Sequence, residues 1–383
     1  MNKRKICVVL TTRGNYAKMK SVMHGIVESD SLELQLIIAG GIVLPKYGHN
    51  IANLISSEFK VDRHIHYLVE GDTPMTMAKS AGLAITEFST AFENLCPDAV
   101  VVIADRFECL SIAMASSYMN IPVIHLEGGE VSGSIDESVR HAITKLSHIH
   151  FPATEDAAQR IIKMGEEKET VFTVGGTSLD VIRNIDTSRS KLKEFNDIGV
   201  GAEINLSGDY FVVIQHPVTT EYSKNMEHLT ETAKAITDLG MPTAWIWPNM
   251  DAGSDEISKG IRTFREKCNP VNVRFFKGLP IQLYAPLLAN ASCIIGNSSS
   301  GLRESAFLGT PCVNIGTRQA GRERGQNVLD CGYSCSEIIE KAKQQLAHGR
   351  YEPDHLYGDG YAGEKIVNIL ENFSFNIQKQ ITY

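Results

Sequence analysis

The sequence has no long apolar run. Nothing in its 383 residues approaches the roughly 20 apolar residues of a membrane-spanning helix. The basic start at Met1–Lys5 precedes only Ile6–Leu10, too short for a signal peptide and without a cleavage pattern. Positive charge is also in deficit: 37 Lys and Arg against 45 Asp and Glu leave a net charge of −8. That balance argues against nonspecific nucleic-acid binding. The eight cysteines are scattered, several in apolar surroundings where the thiol acts as a small hydrophobe. Cys331 and Cys335 are the one close pair, with no second pair or histidine partner to complete a zinc pattern. There is no internal repeat and no low-complexity tract. No Gly-x-Gly-x-x-Gly follows the first apolar run, which disfavours a nicotinamide enzyme. These absences predict a reduced, cytoplasmic protein without a structural metal, a nucleic-acid partner or a membrane partner.

What is present is 43% apolar and 21% charged, the composition of a globular chain too long for one ordinary core. Short β-branched runs alternate with longer amphipathic segments, which predicts parallel sheets covered by helices. Strands are expected at Ile6–Thr11, Leu34–Ala39, His64–Leu68, Ala99–Ile103 and Pro122–His125. Helices are expected near Tyr16–Glu28, Leu44–Ser57, Pro74–Leu95 and Glu108–Met119, with βα steps at Ile149–Gly165 and Val171–Ile182. Asn184–Asp209 is polar and weakly periodic and reads as a linker. A second alternating series begins at Tyr210 and runs to a strand at Cys312–Ile315, a basic loop, and helices at Glu337–His348 and Glu364–Phe373. The expected architecture is two α/β halves facing across a cleft, residues 1–185 and 186–363.

The stretch from His125 to His141 organises the rest. It carries Glu127, Glu130, Asp136 and Glu137 with three glycines, at the carboxyl end of an apolar strand. Ligands collect there in open α/β sheets, so an active-site loop is a better reading than a solvated acidic turn. Four further constellations stand at strand ends. Arg13 in Thr11-Thr-Arg-Gly-Asn15 precedes a helix and suits a phosphate, although an ordinary turn would look the same. Asp105, beside Arg106, reads on this evidence first as a helix N-cap. His216 in Gln215-His-Pro-Val-Thr-Thr220 can donate to a phosphate or act as an acid. Gly296-Asn-Ser-Ser-Ser-Gly301-Leu-Arg-Glu304 offers hydroxyls and free amides as a phosphate cradle, with Glu304 placed for ribose hydroxyls or as a capping-box partner. Arg318, Arg322 and Arg324 add positive charge near the same edge.

Together these motifs resemble the hydrolysing UDP-N-acetylglucosamine 2-epimerases of sialic-acid-type sugar biosynthesis. The matching pieces are Thr12-Arg-x-x-Tyr16, Asp105-Arg-x-Glu108, Glu127-Gly-Gly-Glu-Val-Ser-Gly-Ser-Ile-Asp136 and Arg140-His-Ala-Ile-Thr-Lys145. They continue through His216-Pro-Val-Thr-Thr, Gly296-Asn-Ser-Ser-x-Gly-x-Arg-Glu304 and Gly316-Thr-Arg318-Gln. The resemblance implies a glycosyltransferase-B fold, α/β with two Rossmann-like domains whose parallel sheets face a central cleft. The last helix, within 364–383, would pack back on the first domain. It also implies a UDP-sugar substrate, no cofactor or metal, and a homodimer or homotetramer built through first-domain helices. Non-hydrolysing relatives usually have Glu-Ala-Gly-Leu-Arg where this chain has Glu127-Gly-Gly-Glu-Val, which favours the hydrolysing group.

Carried over by motif, Asp105, Glu127 and Asp136 are the catalytic carboxylates. Their roles as base, acid and water activator are not divided by sequence. The reading places Glu127 at C2, Asp136 on a proton or water on the other side, and Asp105 in an orienting role. Arg13, Lys18, Arg106, His216, Asn297, Ser298, Ser299, Gly301, Glu304 and Arg318 would hold UDP; Glu130 and Glu137 are read as structural acids. The family commonly has Gly at Ala104 and often an acid at Asn15, and a changed sugar would account for either departure. The competing substrate is UDP-2,4-diacetamido-2,4,6-trideoxyglucose, toward legionaminic acid. A glycosyltransferase of the same fold, or a silent nucleotide-sugar sensor, would not need three carboxylates around C2.

Overall fold

The computed structural model describes residues 3–71, 73–132, 136–193, 195–248, 254–277 and 279–382. The chain divides into two compact units: one of Met1–Glu130, Ile135–Val181 and Gly358–Tyr383, the other of Val131–Ser134 and Ile182–Tyr357.

In the first unit β1 (Arg4–Leu10), β2 (Leu32–Ala39), β3 (Arg63–Ile65), β4 (Ala99–Ile103), β5 (Val123–Leu126) and β6 (Ile149–Phe151) form one parallel sheet in the order β3-β2-β1-β4-β5-β6. Helices α1 (Arg13–Glu28), α2 (Pro45–Glu58), α3 (Pro74–Leu95), α4 (Phe107–Tyr118), α5 (Asp136–Leu146), α6 (Glu155–Lys163) and α7 (Thr177–Arg183) alternate with the strands. All five side chains of β4 are buried, as a strand covered on both faces requires. One core lies between the sheet and α1, the other between the sheet and α3 and α4.

The last helix, Ala362–Asn372, packs on α1. Gly25 permits this, because a Cβ there would meet Val367 Cγ2 at 2.8 Å. Asp180 caps the incoming helix by accepting from the Ala362 and Gly363 amides at 2.9 and 2.6 Å. The strand expected at Val171 is reduced to a single bridge, Val171 to His150. Gly175 and Gly176 end the apolar run there, and Gly175 lies against Gly358, whose own Cβ would come within 2.7 Å of it.

In the second unit β7 (Val200–Gly201), β8 (Phe211–Ile214), β9 (Thr243–Ile246), β10 (Val273–Phe276), β11 (Cys293–Gly296), β12 (Cys312–Ile315) and β13 (Val328–Cys331) are ordered β13-β12-β11-β8-β9-β10-β7. Only the two-residue β7 runs antiparallel. Helices α8 (Asn225–Leu239), α9 (Ser254–Cys268), α10 (Ile281–Asn290), α11 (Glu304–Leu308) and α12 (Cys335–His348) complete it. Edge strand β13 has no counterpart in the sequence reading, because Val-Leu-Asp-Cys is too short and mixed to show a period.

The expected linker is largely structured. Leu192, Phe195, Ile204 and Leu206 are buried in the second unit's core at irregular spacings that no periodicity scan detects. Arg274 fastens the segment by donating to the carbonyls of Ile198, Gly201 and Ala202. Among the described residues no helix is long and apolar enough to cross a membrane. The eight cysteines are free thiols.

Candidate active site

The order of the first sheet reverses between β1 and β4, the switch point at which ligands gather in such sheets. Thr12 caps α1, its hydroxyl accepting from the Asn15 amide, and Arg13 is the exposed first residue of the helix. Asn15 is buried, and its side-chain oxygen accepts from the Thr12 amide and hydroxyl and the Thr11 hydroxyl at 3.2, 2.9 and 2.8 Å. This oxygen completes a capping box, a role that an acid at the same position would fill equally. The Thr11 hydroxyl also lies 3.1 Å from Glu108 Oε1, which accepts from Arg106 Nε at 2.7 Å. Arg106, expected among the UDP ligands, is thus paired with a buried glutamate.

Both central strand ends turn sharply. Ala104 has φ +63° and Glu127 +59°, left-handed backbone that costs an L-residue roughly 1–2 kcal/mol. Such strain persists only where the surroundings enforce it. Here the Ala104 amide donates to Leu126 O at 3.0 Å and the Glu127 amide to Phe151 O at 2.9 Å. The following Gly129 has φ +76°, and a Cβ would lie 2.2 Å from Ala157 O on α6, so no other residue fits.

Asp105 is not the N-cap of α4; that place belongs to Arg106. The Asp105 carboxylate instead accepts from Arg140 Nη2. Arg140 is 1% exposed and sends Nη1 to Glu130 O at 2.6 Å. Glu127 is 2% exposed and takes Lys18 Nζ, from α1, at 2.6 Å. Lys18, expected among the UDP ligands, is thus placed on a carboxylate. Asp136 opens α5 one turn before Arg140, and Glu137 beside it lies 3.5 Å from His141 Nε2. Residues 133–135 of the organising stretch lie outside the described residues. Sequence reasoning gave Arg140 no role, although its i, i+4 spacing from Asp136 puts both on one helix face.

Ala104→Gly should relieve the left-handed strain and stabilise the protein by about 0.5–1 kcal/mol, since the gain exceeds the entropy that glycine adds to the unfolded chain. A thermal melt checks this, and a lower Tm would show that the backbone there is not strained.

Two buried histidines lie side by side on β5 and β6. Burial pushes His125 down to about 3, and it pushes His150 down despite the nearby Glu166 carboxylate at 3.2 Å. Burial would raise Glu166, but hydrogen bonds from His150, Lys145 and Lys379 outweigh it and hold the carboxyl at about 2. The unfolded chain therefore takes up protons first as pH falls. The histidine contribution to stability is complete above about 6.5 and is lost below it, at on the order of 1 kcal/mol per pH unit for each group. Glu166 adds to the loss between its ordinary 4.5 and about 2. Urea melts from pH 8 to 4 should show a plateau and then a decline beginning near 6.5. A flat profile down to pH 5 would contradict the burial of neutral imidazoles.

In the second unit the strand ends of β8, β11 and β12 converge on Asn297. Gly296 reaches this crossing with φ +141°, and a Cβ would lie 1.9 Å from Ile214 O. The Asn297 side chain accepts from the His216 amide at 2.6 Å and donates to His216 O at 2.9 Å. Its carbonyl accepts from Arg318 Nη1 at 3.0 Å and Gln319 Nε2 at 2.8 Å. His216, Asn297 and Arg318 are thereby brought together. Ser298 Oγ accepts from the Ser300 amide at the start of the turn Ser299–Gly301.

Glu304 opens α11, whose N-cap is Arg303 and makes no side-chain cap bond, so the capping-box reading of Glu304 is set aside. Its buried Oε2 meets no donor among the described residues. Arg324 is turned onto Asp330 and Gln319 O, and Arg322 reaches Gln319 Oε1 at 2.9 Å. Arg318 is joined directly to the Asn297 turn. Thr219 and Thr220 lie where no side chain is described.

Comparison with known proteins gives this geometry a context. The sequence pattern of the family described as UDP-N-acetylglucosamine 2-epimerase matches residues 25–371. A Campylobacter jejuni protein named GDP/UDP-N,N'-diacetylbacillosamine 2-epimerase (hydrolyzing) is 36% identical over 86% of this chain and 85% of its own length. A Legionella pneumophila protein named UDP-N,N'-diacetylbacillosamine 2-epimerase (hydrolyzing) is 34% identical over 98% of this chain and 97% of its own. The solved UDP-GlcNAc 2-epimerase from Neisseria meningitidis, bound to UDP-GlcNAc, superposes with a TM-score of 0.79 at 18% identity, covering 96% of this chain and 99% of that one. That likeness shows the glycosyltransferase-B type of α/β fold expected from the sequence. With the family pattern running through nearly all of its length, the chain belongs to the UDP-N-acetylglucosamine 2-epimerase family.

Proposed function

We infer that the protein is a hydrolysing 2-epimerase of a UDP-linked 2-acetamido sugar. The observation that carries this reading is the arrangement in the first unit: Asp105 and Glu127 stand on adjacent strand ends, and Arg140 joins Asp105 to the helix that opens with Asp136. Glu127 removes the C2 proton as the C1–O bond to UDP breaks, giving the 2-acetamidoglycal. Water then adds at C1, a proton returns to the opposite face of C2 with Asp136 serving that side, and the free 2-epimer and UDP leave. Asp105 orients. C2–H is a weak acid, so a placed base and a stabilised diphosphate are both needed. In the second unit His216, Asn297, Ser298, Ser299, Gly301 and Arg318 hold the diphosphate, and Glu304 accepts from the ribose hydroxyls. Lys18 acts through Glu127.

The substrate supported best is UDP-N,N'-diacetylbacillosamine, the 2,4-diacetamido-2,4,6-trideoxyglucose nucleotide, on the strength of relatives so named at 36% and 34% identity. This reverses the order in which the sequence alone ranked the two sugars. UDP-GlcNAc is the second reading, favoured by a Neisseria meningitidis relative named UDP-N-acetylglucosamine 2-epimerase at 29% identity. Purified protein given each nucleotide sugar should release UDP and the free 2-epimer, with kcat/KM at least about tenfold higher for the diacetamido sugar. Transfer of either sugar to an acceptor, or no UDP release from both, would sink the reading.

Self-association is part of the same proposal. It carries over from the family resemblance, which implies a homodimer or homotetramer. Light scattering should return a multiple of the chain mass, and a monomer would overturn this.

A further inference from the structure

His125 lies in β5, one residue before its end, and is completely buried, yet no step of the proposed reaction uses it. Its ring touches three segments. Nε2 lies 3.0 Å from Ala104 O, and a carbonyl only accepts, so Nε2 carries the proton. Nδ1 is then the acceptor for the Thr144 hydroxyl, 3.3 Å away on α5. The ring also fills the space beside Gly128, where a Cβ would lie 2.8 Å from Nδ1 and 2.9 Å from Cε1. Gly128 therefore has a packing reason to be glycine, separate from any backbone turn.

These three segments are the ones that carry Asp105, Glu127 and Asp136. The peptide whose carbonyl His125 holds is the one immediately before Asp105, in a residue kept at φ +63°. Thr144 stands one turn after Arg140, which grips the Asp105 carboxylate itself. Imidazole and guanidinium thus hold the two ends of the Ala104–Asp105 unit, and both are referred to α5. Burial keeps the ring neutral, which leaves Nδ1 able to accept from Thr144.

We propose that His125 is a positioning residue: it braces the carbonyl before Asp105 against helix α5, beneath the Glu127–Gly128 turn, and so sets the mutual placement of the three carboxylates. The proposal rests on the functional reading given above. A simple core histidine would be replaceable by an aromatic ring of similar size. A brace would not be, because displacement of reacting groups by about 1 Å costs on the order of 10²-fold in rate.

The test compares His125→Phe, His125→Gln and Thr144→Val. His125→Phe should lower kcat by about 10²-fold while KM and the Kd for UDP stay within threefold. His125→Gln, whose Nε2 can reach the place of the imidazole Nε2, should recover about tenfold of that loss. Thr144→Val should show a smaller loss of the same kind. If kcat of His125→Phe stays within threefold of the wild type, or if Gln rescues nothing and Thr144→Val is unimpaired, the brace is wrong. Should His125→Phe fail to fold, Thr144→Val decides: normal kcat overturns the proposal and a kcat loss at constant KM supports it. If the wild type turns over neither sugar, the functional reading falls by itself. The brace is then judged by hydrogen exchange of segment 104–108 in Thr144→Val, where faster exchange supports it and unchanged exchange overturns it.

Discussion

Glu127→Gln should lose about 10²–10⁴-fold in kcat, the range that a positioned base supplies, with the affinity for UDP unchanged. The substitution keeps the volume of a side chain that is 2% exposed and leaves an amide oxygen able to accept from Lys18 Nζ, 2.6 Å away in the native ion pair. Loss of the ion pair should still cost stability, so kinetics at a temperature where the variant stays folded keeps a lost rate apart from unfolding. Steady-state kinetics with calorimetric titration of UDP separates the two effects. Turnover within threefold of the wild type would remove Glu127 from the chemistry.

Arg140→Met should damage both stability and rate. The guanidinium is 1% exposed and serves two acceptors, the Asp105 carboxylate and Glu130 O. Removing one partner of a buried ion pair costs roughly 3–5 kcal/mol, and the partial exposure of Asp105 to water puts this case at the lower end, about 3 kcal/mol. Asp105 then loses its tie to the helix that opens with Asp136, and kcat should fall by on the order of 10²-fold. Denaturant melts and kinetics at a temperature where the variant stays folded check the two parts separately. A variant as stable as the wild type would mean that the pair is not formed in solution.

Much of this site could be read from residue order, because the residues concerned stand at the ends of apolar runs. Ala99–Ile103 and Cys293–Gly296 carry their strand assignment in their composition, and the acids, serines and glycines that follow mark the functional edges. What the sequence hid was partnership across distance. Arg140 and Asp105 are 35 residues apart, and Lys18 and Glu127 are 109 apart. Nothing local distinguishes a lysine that binds phosphate from one that binds a carboxylate. His125 was hidden for a related reason: in a strand of the pattern Val-Ile-His-Leu it looks like any core residue, and only the fold brings Ala104 and Thr144 to its two nitrogens. The structured linker and β13 escaped because short or irregular apolar spacings carry no period.

Proton NMR of the purified enzyme turning over its UDP-sugar in D₂O addresses the mechanism most directly. The account predicts UDP and free 2-epimer in equal amounts, with one deuterium at C2 of every product molecule. Epimer that keeps its original C2 proton, or UDP released with the C2 configuration unchanged, would contradict it.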